Sequence, residues 1–371
     1  MPSVFCGSQT EITKAVTDFA LPVEIEQLRA EAERFASLEL VPHARAHEKS
    51  LCWSAAVLDV LAKLGLREVD LPGDWGGADA GVLAKVVLLE TLASGDAGGL
   101  PAADQPGLAT GALAACPDAG LARRIAAECL AGRASLALVC ADPEAPELTP
   151  AIHWAPSWPQ LRWAFVSRGD ALALFELTRA LEPARALAFG ASGGVGGALA
   201  GASKLGEWTL ARHQGVTLRG RARLWCGAVA LGVAQSAFDA TVRYTTERVV
   251  FGKPVAHHQG NAFELAVAAT SLHGARLLVR AAAAALDRAA ADAGFWATEA
   301  WIAAVEAAVA VSDLGVQLLG GHGFLVDHLA EKRFREARML ALLAGGRDLA
   351  EADLAELVLE VPDSLTQGGP P

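Results

Sequence analysis

Helical periodicity dominates the chain beyond Arg221 and limits what it can fold into. Four stretches follow one another there: "RLWCGAVALGVAQSAFDATVRYTTERVV", "AFELAVAATSLHGARLLVRAAAAALDRAAA", "WATEAWIAAVEAAVAVSDLGVQLLG" and "HLAEKRFREARMLALLAG". In each, apolar residues recur every three or four positions. Small side chains let helix axes approach closely, and short connections set neighbours antiparallel, so a helical bundle is expected over 221–371. Residues 1–133 also read as helical, in "IEQLRAEAERFASLEL" and "AAVLDVLAKLGL", broken by the Pro/Gly loop "REVDLPGDWGGADAG". Between these segments, over 134–220, "SLALVCADP", "LRWAFVSRG", "ALALFELT" and "ARALAFG" are short apolar runs bounded by Pro, Gly and Asp, the pattern of strands. The expected fold class is mainly α with a small central β-domain, ending in a disordered "PDSLTQGGPP" tail.

Composition excludes several roles. A chain of 371 residues that is 53% hydrophobic and 20% charged buries large cores. Its 31 basic residues are scattered among 42 acidic ones, for a net charge of −11, so no nucleic-acid partner is expected. The cysteines (Cys6, Cys52, Cys116, Cys129, Cys140, Cys226) form no CxxC pair, which predicts reduced core thiols in a cytoplasmic protein and neither a zinc site nor a disulfide framework. No signal peptide is expected from "MPSVFCGSQTEITKAV", and no membrane partner from helices whose apolar runs are interrupted by charge before ~18 residues. "HARAH" sets His43 and His47 one helical turn apart, but no motif supplies a third ligand, so no metal is expected and a solvated helix face is the reading. The glycines of "ARALAFGASGGVGGALAG" loosely fit a nicotinamide-cofactor fingerprint. No βαβ repeat or acidic strand end follows, which favours a glycine loop within the β-domain.

Together these pieces resemble the acyl-CoA dehydrogenase family. "LPGDWGG" (Leu71–Gly77) is similar to its "LPxxxGG" loop, "CADPEAPEL" (Cys140–Leu148) to its "TEPxAGSD" turn, and "FVSRG" (Phe165–Gly169) to its "WITNG". The most specific matches are "ERVVFGKPVAHHQ" (Glu247–Gln259), similar to "ERxxFGxPIxxxQ", and "VQLLGGHGFLVDHLAEKRFREAR" (Val316–Arg338), similar to "xQxxGGxGYxxxxxxERxxRDAR". The resemblance implies an N-terminal helical domain, a barrel-like middle domain and a C-terminal four-helix bundle. It also implies FAD as cofactor, an acyl-CoA thioester as substrate, and a carboxylate that takes the α proton as hydride leaves for the flavin. A homo- or hetero-oligomer is implied, and an electron-transfer flavoprotein as a partner.

Residue by residue, the resemblance gives Arg248 to the FAD pyrophosphate, Phe251 to the adenosine half, Gln259 and Gln317 to hydrogen bonds along the cofactor, and Gly320 with Gly321 to close backbone approach. Ser167 stands for the Thr whose hydroxyl approaches flavin N5, and Phe165 for the flanking Trp. The base departs from the pattern. Ala344 occupies the place of the catalytic Glu and Gly346 that of the Thr beside it; Ala222 occupies the alternative Glu position on the first bundle helix. Asp348, one turn beyond Ala344, could serve only if the helix ended early. Residues that in many members touch a neighbour's FAD are thus kept, while several that serve the chain's own flavin and substrate are changed. Two expectations follow: an acyl-CoA dehydrogenase-type flavoprotein with an unusual base, or a non-catalytic subunit that completes the FAD site of a catalytic paralogue.

Overall fold

The computed structural model describes residues 20–142, 151–184 and 188–360. The first segment is helical: α1 (Val23–Phe35), α2 (Ala44–Ser50), α3 (Ala55–Lys63), α4 (Gly81–Asp96), α5 (Leu100–Ala103), α6 (Thr110–Ala115) and α7 (Ala119–Leu130). Ser54 caps α3 by accepting from Val57 N, and Asp118 caps α7 by accepting from Leu121 N, each satisfying an orphan first-turn donor. The "LPGDWGG" loop contains a 3₁₀ turn at Gly73–Trp75 and is tied to α7 by an Asp74–Arg123 ion pair.

The middle segment holds β1 (Ser135–Cys140), β2 (Ala151–Ala155), β3 (Leu161–Arg168), β4 (Ala171–Glu176), β5 (Glu182–Pro183), β6 (Val195–Ala198) and β7 (Ser203–Thr209). They form two sheets, ordered β1-β3-β4-β7 and β2-β6-β5, with β1 parallel to β3 and the other pairs antiparallel. The period of two sorts β3 by face: Ala164 and Val166 join a core with Ile152 and Ala155 of the other sheet, whereas Trp163 and Phe165 join one with Ala122, Ile125 and Cys129 of α7. The nicotinamide alternative fails here, because the glycine stretch becomes strand β6 followed by strand β7, where a phosphate loop needs a helix N-terminus.

The bundle comprises α8 (Arg212–Glu247), α9 (Gln259–Asp287), α10 (Ala293–Leu319) and α11 (Ala330–Leu340), with a short hairpin β8 (Val249–Val250) and β9 (Lys253–Pro254) after α8 and a further helix α12 (Gly346–Glu360). Two boundaries differ from expectation. Helix α8 begins at Arg212, inside the stretch read as β, because Gln214 Oε1 accepts from Ala211 N and starts the helix among polar residues that show no apolar period. The last periodic stretch stops at Leu340 rather than running on to Gly345, since Ala344, Gly345 and Gly346 have φ of 55°, 94° and 70°. Left-handed values do not continue a helix, and α12 begins at the last of the three, Gly346. The "PDSLTQGGPP" tail, the "MPSVFCGSQTEITKAV" segment and residues 143–148 of the "CADPEAPEL" turn lie outside the described residues.

Helices α9 and α10 are long and apolar enough to cross a bilayer by length and composition alone. Helix α10 buries Trp301, Ala304, Ala308 and Val311 in the main core, which accounts for its character. Helix α8 is central, packing on α4 as well as α10, and Gly232 marks the tightest approach: an added Cβ would stand 2.2 Å from Glu90 O and 2.6 Å from Ala93 Cβ. Gly232→Ala gains about 1 kcal/mol of helix propensity. Overpacking against fixed backbone costs about 1–3 kcal/mol or more, so the contact should win. The variant is predicted to unfold at lower denaturant than wild type; an unchanged or higher midpoint would refute this packing.

Candidate functional site

Ala222 and Ala344, the two positions where a base was sought, line one cavity. It holds about 50 Å³ of free space between Gln105 and Pro106, Leu136 and Leu138 of β1, Trp154, Trp225 of α8, and Leu343. Every lining side chain is uncharged. The one polar side chain that could orient a proton, Gln105, is already used: its Nε2 donates to Pro101 O at 2.8 Å and its Oε1 accepts from Leu136 N at 3.0 Å. The carboxylate behind the wall, Asp104, accepts from Trp225 Nε1 at 2.7 Å and from Lys85 Nζ at 2.7 Å, with Trp225 itself lining the cavity. Burial raises the Asp104 pKa, Lys85 only partly offsetting it.

The condition set for Asp348 is met, since α11 does end early, yet Asp348 is exposed on the first turn of α12 and does not line the cavity. Glu331 pairs with Arg45 and Arg335, and Glu306 with Arg347. Glu299 is half-buried, with a pKa raised by burial.

Of the two residues matched to the flavin ring, Phe165 is wholly buried in the core shared with α7. Ser167 is 1% exposed, and its Oγ accepts from Arg219 Nη1 at 3.3 Å. The same Nη1 donates to Gly169 O at 2.9 Å, while Arg219 Nε and Nη2 donate to Asp353 of α12 at 2.9 and 2.6 Å. Arg223, one turn along α8 and fully buried, pairs with Asp353 Oδ2 at 2.6 Å and donates to Thr298 Oγ1 at 3.2 Å. Burial lowers the Arg223 pKa; burial acts the same way on Arg219, but its hydrogen bonds to Asp353 prevail and raise it. A bound ring needs an open face to lie against. Here a guanidinium bridges the sheet to α12 and donates to the Ser167 hydroxyl, so that hydroxyl is engaged within the chain. Sequence reasoning missed Arg219, Arg223 and Asp353, because Arg219, Arg221 and Arg223 follow one another in a polar helix start where nothing local marks which of them is buried.

The other predicted cofactor residues lie at the opposite end of α8 and α10. Arg248, Gln259, Gln317, Gly320 and Gly321 are exposed, and Phe251 is 95% exposed. A Tyr244–His322 contact of 3.3 Å holds the ends of the two helices together. Among the described residues the Arg248 side chain has no ion-pair partner, and nothing stands within 4 Å of a Cβ placed at Gly320 or Gly321. This surface has the space and the free donors that an anionic ligand from outside the chain requires.

The histidine expectation is corrected. His43 is exposed, but His47 is buried and its Nδ1 lies 3.1 Å from Asp96 Oδ2. Asp96 also accepts from Trp53 Nε1 and Gly98 N at 3.0 Å each and from Lys332 Nζ at 2.7 Å. Lys332 in turn meets Glu336 at 2.5 Å. This buried network ties α4 to α11. Among the described residues no group of His, Cys, Asp and Glu could hold a metal, and the described cysteines are free thiols.

Residues 22–132 match the sequence family described as acyl-CoA dehydrogenase, N-terminal domain, and residues 217–359 that described as acyl-CoA dehydrogenase, C-terminal domain. Cyclohex-1-ene-1-carbonyl-CoA dehydrogenase of Geobacter metallireducens is 38% identical over 123 residues, 33% of this chain and 32% of that protein, so the match spans about a third of that relative's length. The glutaryl-coenzyme A dehydrogenase glutaryl-CoA complex superposes with a TM-score of 0.77 over 94% of this chain and 98% of that one, at 21% identity. A glutaryl-CoA dehydrogenase from Mycobacterium smegmatis in complex with FADH2 gives 0.73 over 92% and 96%, at 19% identity. At such identities the superpositions show a common fold.

Proposed function

The chain belongs to the acyl-CoA dehydrogenase family, and we propose that within it this protein is a subunit that completes a partner's FAD site without dehydrogenating an acyl-CoA itself. The observation that carries the reading is the cavity: both base positions open onto it, both are alanine, and its lining is uncharged. A positioned general base supplies about 10²–10⁴ in rate, and no residue here takes that part. The Arg219 bridge supports the reading, because it already engages the hydroxyl matched to the chain's own ring position.

What the chain does offer is its exposed surface. There the Arg248 guanidinium suits a bidentate grip on a pyrophosphate, Phe251 provides an apolar face for the adenosine half, Gln259 and Gln317 provide hydrogen bonds, and the Gly320–Gly321 backbone can approach without side-chain interference. FAD held there would belong to a partner, and its hydride chemistry would be completed by that partner's carboxylate.

The purified chain, titrated with FAD, is expected to retain no flavin and to turn over no saturated acyl-CoA with an artificial electron acceptor. Ala344→Glu is expected to restore nothing, since the new side chain would have to enter about 50 Å³ of space from a residue at φ 55°. Co-expressed with a flavin-binding paralogue that keeps its glutamate, the chain should co-purify in a yellow complex, and Arg248→Ala should lower the flavin content of that complex without changing the melting temperature of the chain alone. Stoichiometric flavin with turnover in the isolated chain would overturn the proposal, as would flavin content indifferent to Arg248→Ala.

A further inference from the structure

A separate cavity of about 310 Å³ lies between the second halves of α8 and α10 and the start of α11. Ala237, Thr241, Ser312 and Gly315 are among the small residues that line it. The Thr241 and Ser312 hydroxyl protons are already given to Ala237 O and Ala308 O, at 2.7 Å each. Arg243 and His328 line it as well, Arg243 from an exposed position, and Arg333 is the arginine set deeper among these walls.

Two of its basic neighbours on α11 are paired, Lys332 with Asp96 and Glu336, and Arg335 with Glu48 and Glu331. Arg333 is partly buried, lines the cavity, and has no carboxylate within ion-pair distance among the described residues. None of its nitrogens is among the buried side-chain atoms sealed without a partner. The guanidinium therefore opens into the cavity and is not trapped against apolar walls. Burial holds its pKa down to about 10, the attraction of Glu336 offsetting this only in part, so it stays charged at neutral pH. A cation removed from bulk water is costly unless an anion or hydrogen-bond acceptors meet it.

We propose that this cavity binds a small anion, a carboxylate or a phosphate, with Arg333 as its principal partner. The planar fork of arginine presents parallel N–H groups to two oxygens of either group. At the mouth, Arg243, Glu247 and Asp327 are exposed, and their mixed signs, screened by salt, neither draw in nor repel a singly charged ligand strongly. The cavity volume admits a molecule with a small organic tail beyond the anionic head.

The test is thermal unfolding of the full chain in inorganic phosphate, in acetate and in chloride at matched ionic strength. Wild type should melt about 3 °C or more higher in saturating phosphate or acetate than in chloride, the effective anion identifying the head group. Arg333→Leu should melt above wild type in chloride, because an unpaired cation has been removed, and should lose the anion-dependent rise. Arg333→Lys keeps the charge without the fork and should show a reduced rise. If neither anion raises the wild-type melting temperature above chloride, or if the rise is equal in wild type and Arg333→Leu, the proposal fails. Should Arg333→Leu not fold, the same comparison is read from Arg333→Lys, where an undiminished rise counts against Arg333 as the partner.

Discussion

Asp353→Ala is expected to cost about 3–5 kcal/mol of folding stability, the range for removing one member of a buried charged pair. Asp353 is the shared carboxylate of Arg219 and Arg223, and all three side chains are almost fully buried. Without it, α8 keeps two guanidinium groups one turn apart with no counter-charge. The Nε and Nη2 of Arg223 have no hydrogen-bond partner even with Asp353 present, so the site has no slack. The same loss weakens the docking of α12, which also buries Ala350 in the core and pairs Glu356 with Arg212, and should make Ser167 more accessible. Replacing Arg219 and Arg223 by Met together with Asp353→Leu should recover most of the loss, because well-packed apolar groups commonly match or exceed a buried ion pair in stability. Denaturant midpoints with unchanged slopes would measure both effects. A cost below about 1 kcal/mol for Asp353→Ala would mean that α12 does not dock through this carboxylate.

Lys332→Met is expected to have an effect of similar size, about 3–5 kcal/mol at neutral pH, and to carry a pH signature. In the wild type, burial opposes ionisation of Asp96, but Lys332, His47 and Trp53 outweigh it and hold its pKa well below the usual carboxylate range. Its stabilisation is therefore present above the unfolded value of about 3.9 and is lost as pH falls below it. Glu336 behaves oppositely: burial raises its pKa despite Lys332, so it favours the folded state at low pH and loses that contribution as pH rises through its folded value. Burial works against the charge of Lys332 as well, yet Asp96 and Glu336 raise its pKa, so its contribution stands below about 10.4 and fades above. Removing Lys332 leaves Asp96 its three other donors but strips Glu336 of its cation, which drives Glu336 to bind a proton. The deficit of Lys332→Met should accordingly shrink between pH 8 and pH 5. A deficit equal at both pH values would show that Glu336 does not depend on Lys332.

How far the sequence reached can be judged from particular residues. Four periodic helical stretches, the strand runs "LRWAFVSRG" and "ALALFELT", and the Glu247–Gln259 and Val316–Arg338 motifs were enough for the fold class and the family, because periodicity and turn chemistry are local properties of the chain. The alanines at 222 and 344 were equally legible as residue types. That both open onto one uncharged cavity was not, since they lie 122 positions apart and meet only when α11 ends at Leu340 and the chain turns back through three residues of positive φ. Pairing of charges was likewise decided by the tertiary structure. His47 read as part of a solvated face, yet it is drawn inward by Asp96, and Arg219 is committed to an aspartate 134 residues away. An isolated sequence records which charges exist, but the cost of burying each one depends on the partner that the folded chain brings to it, and that partner also decides whether a hydroxyl such as Ser167 faces a cofactor or an arginine.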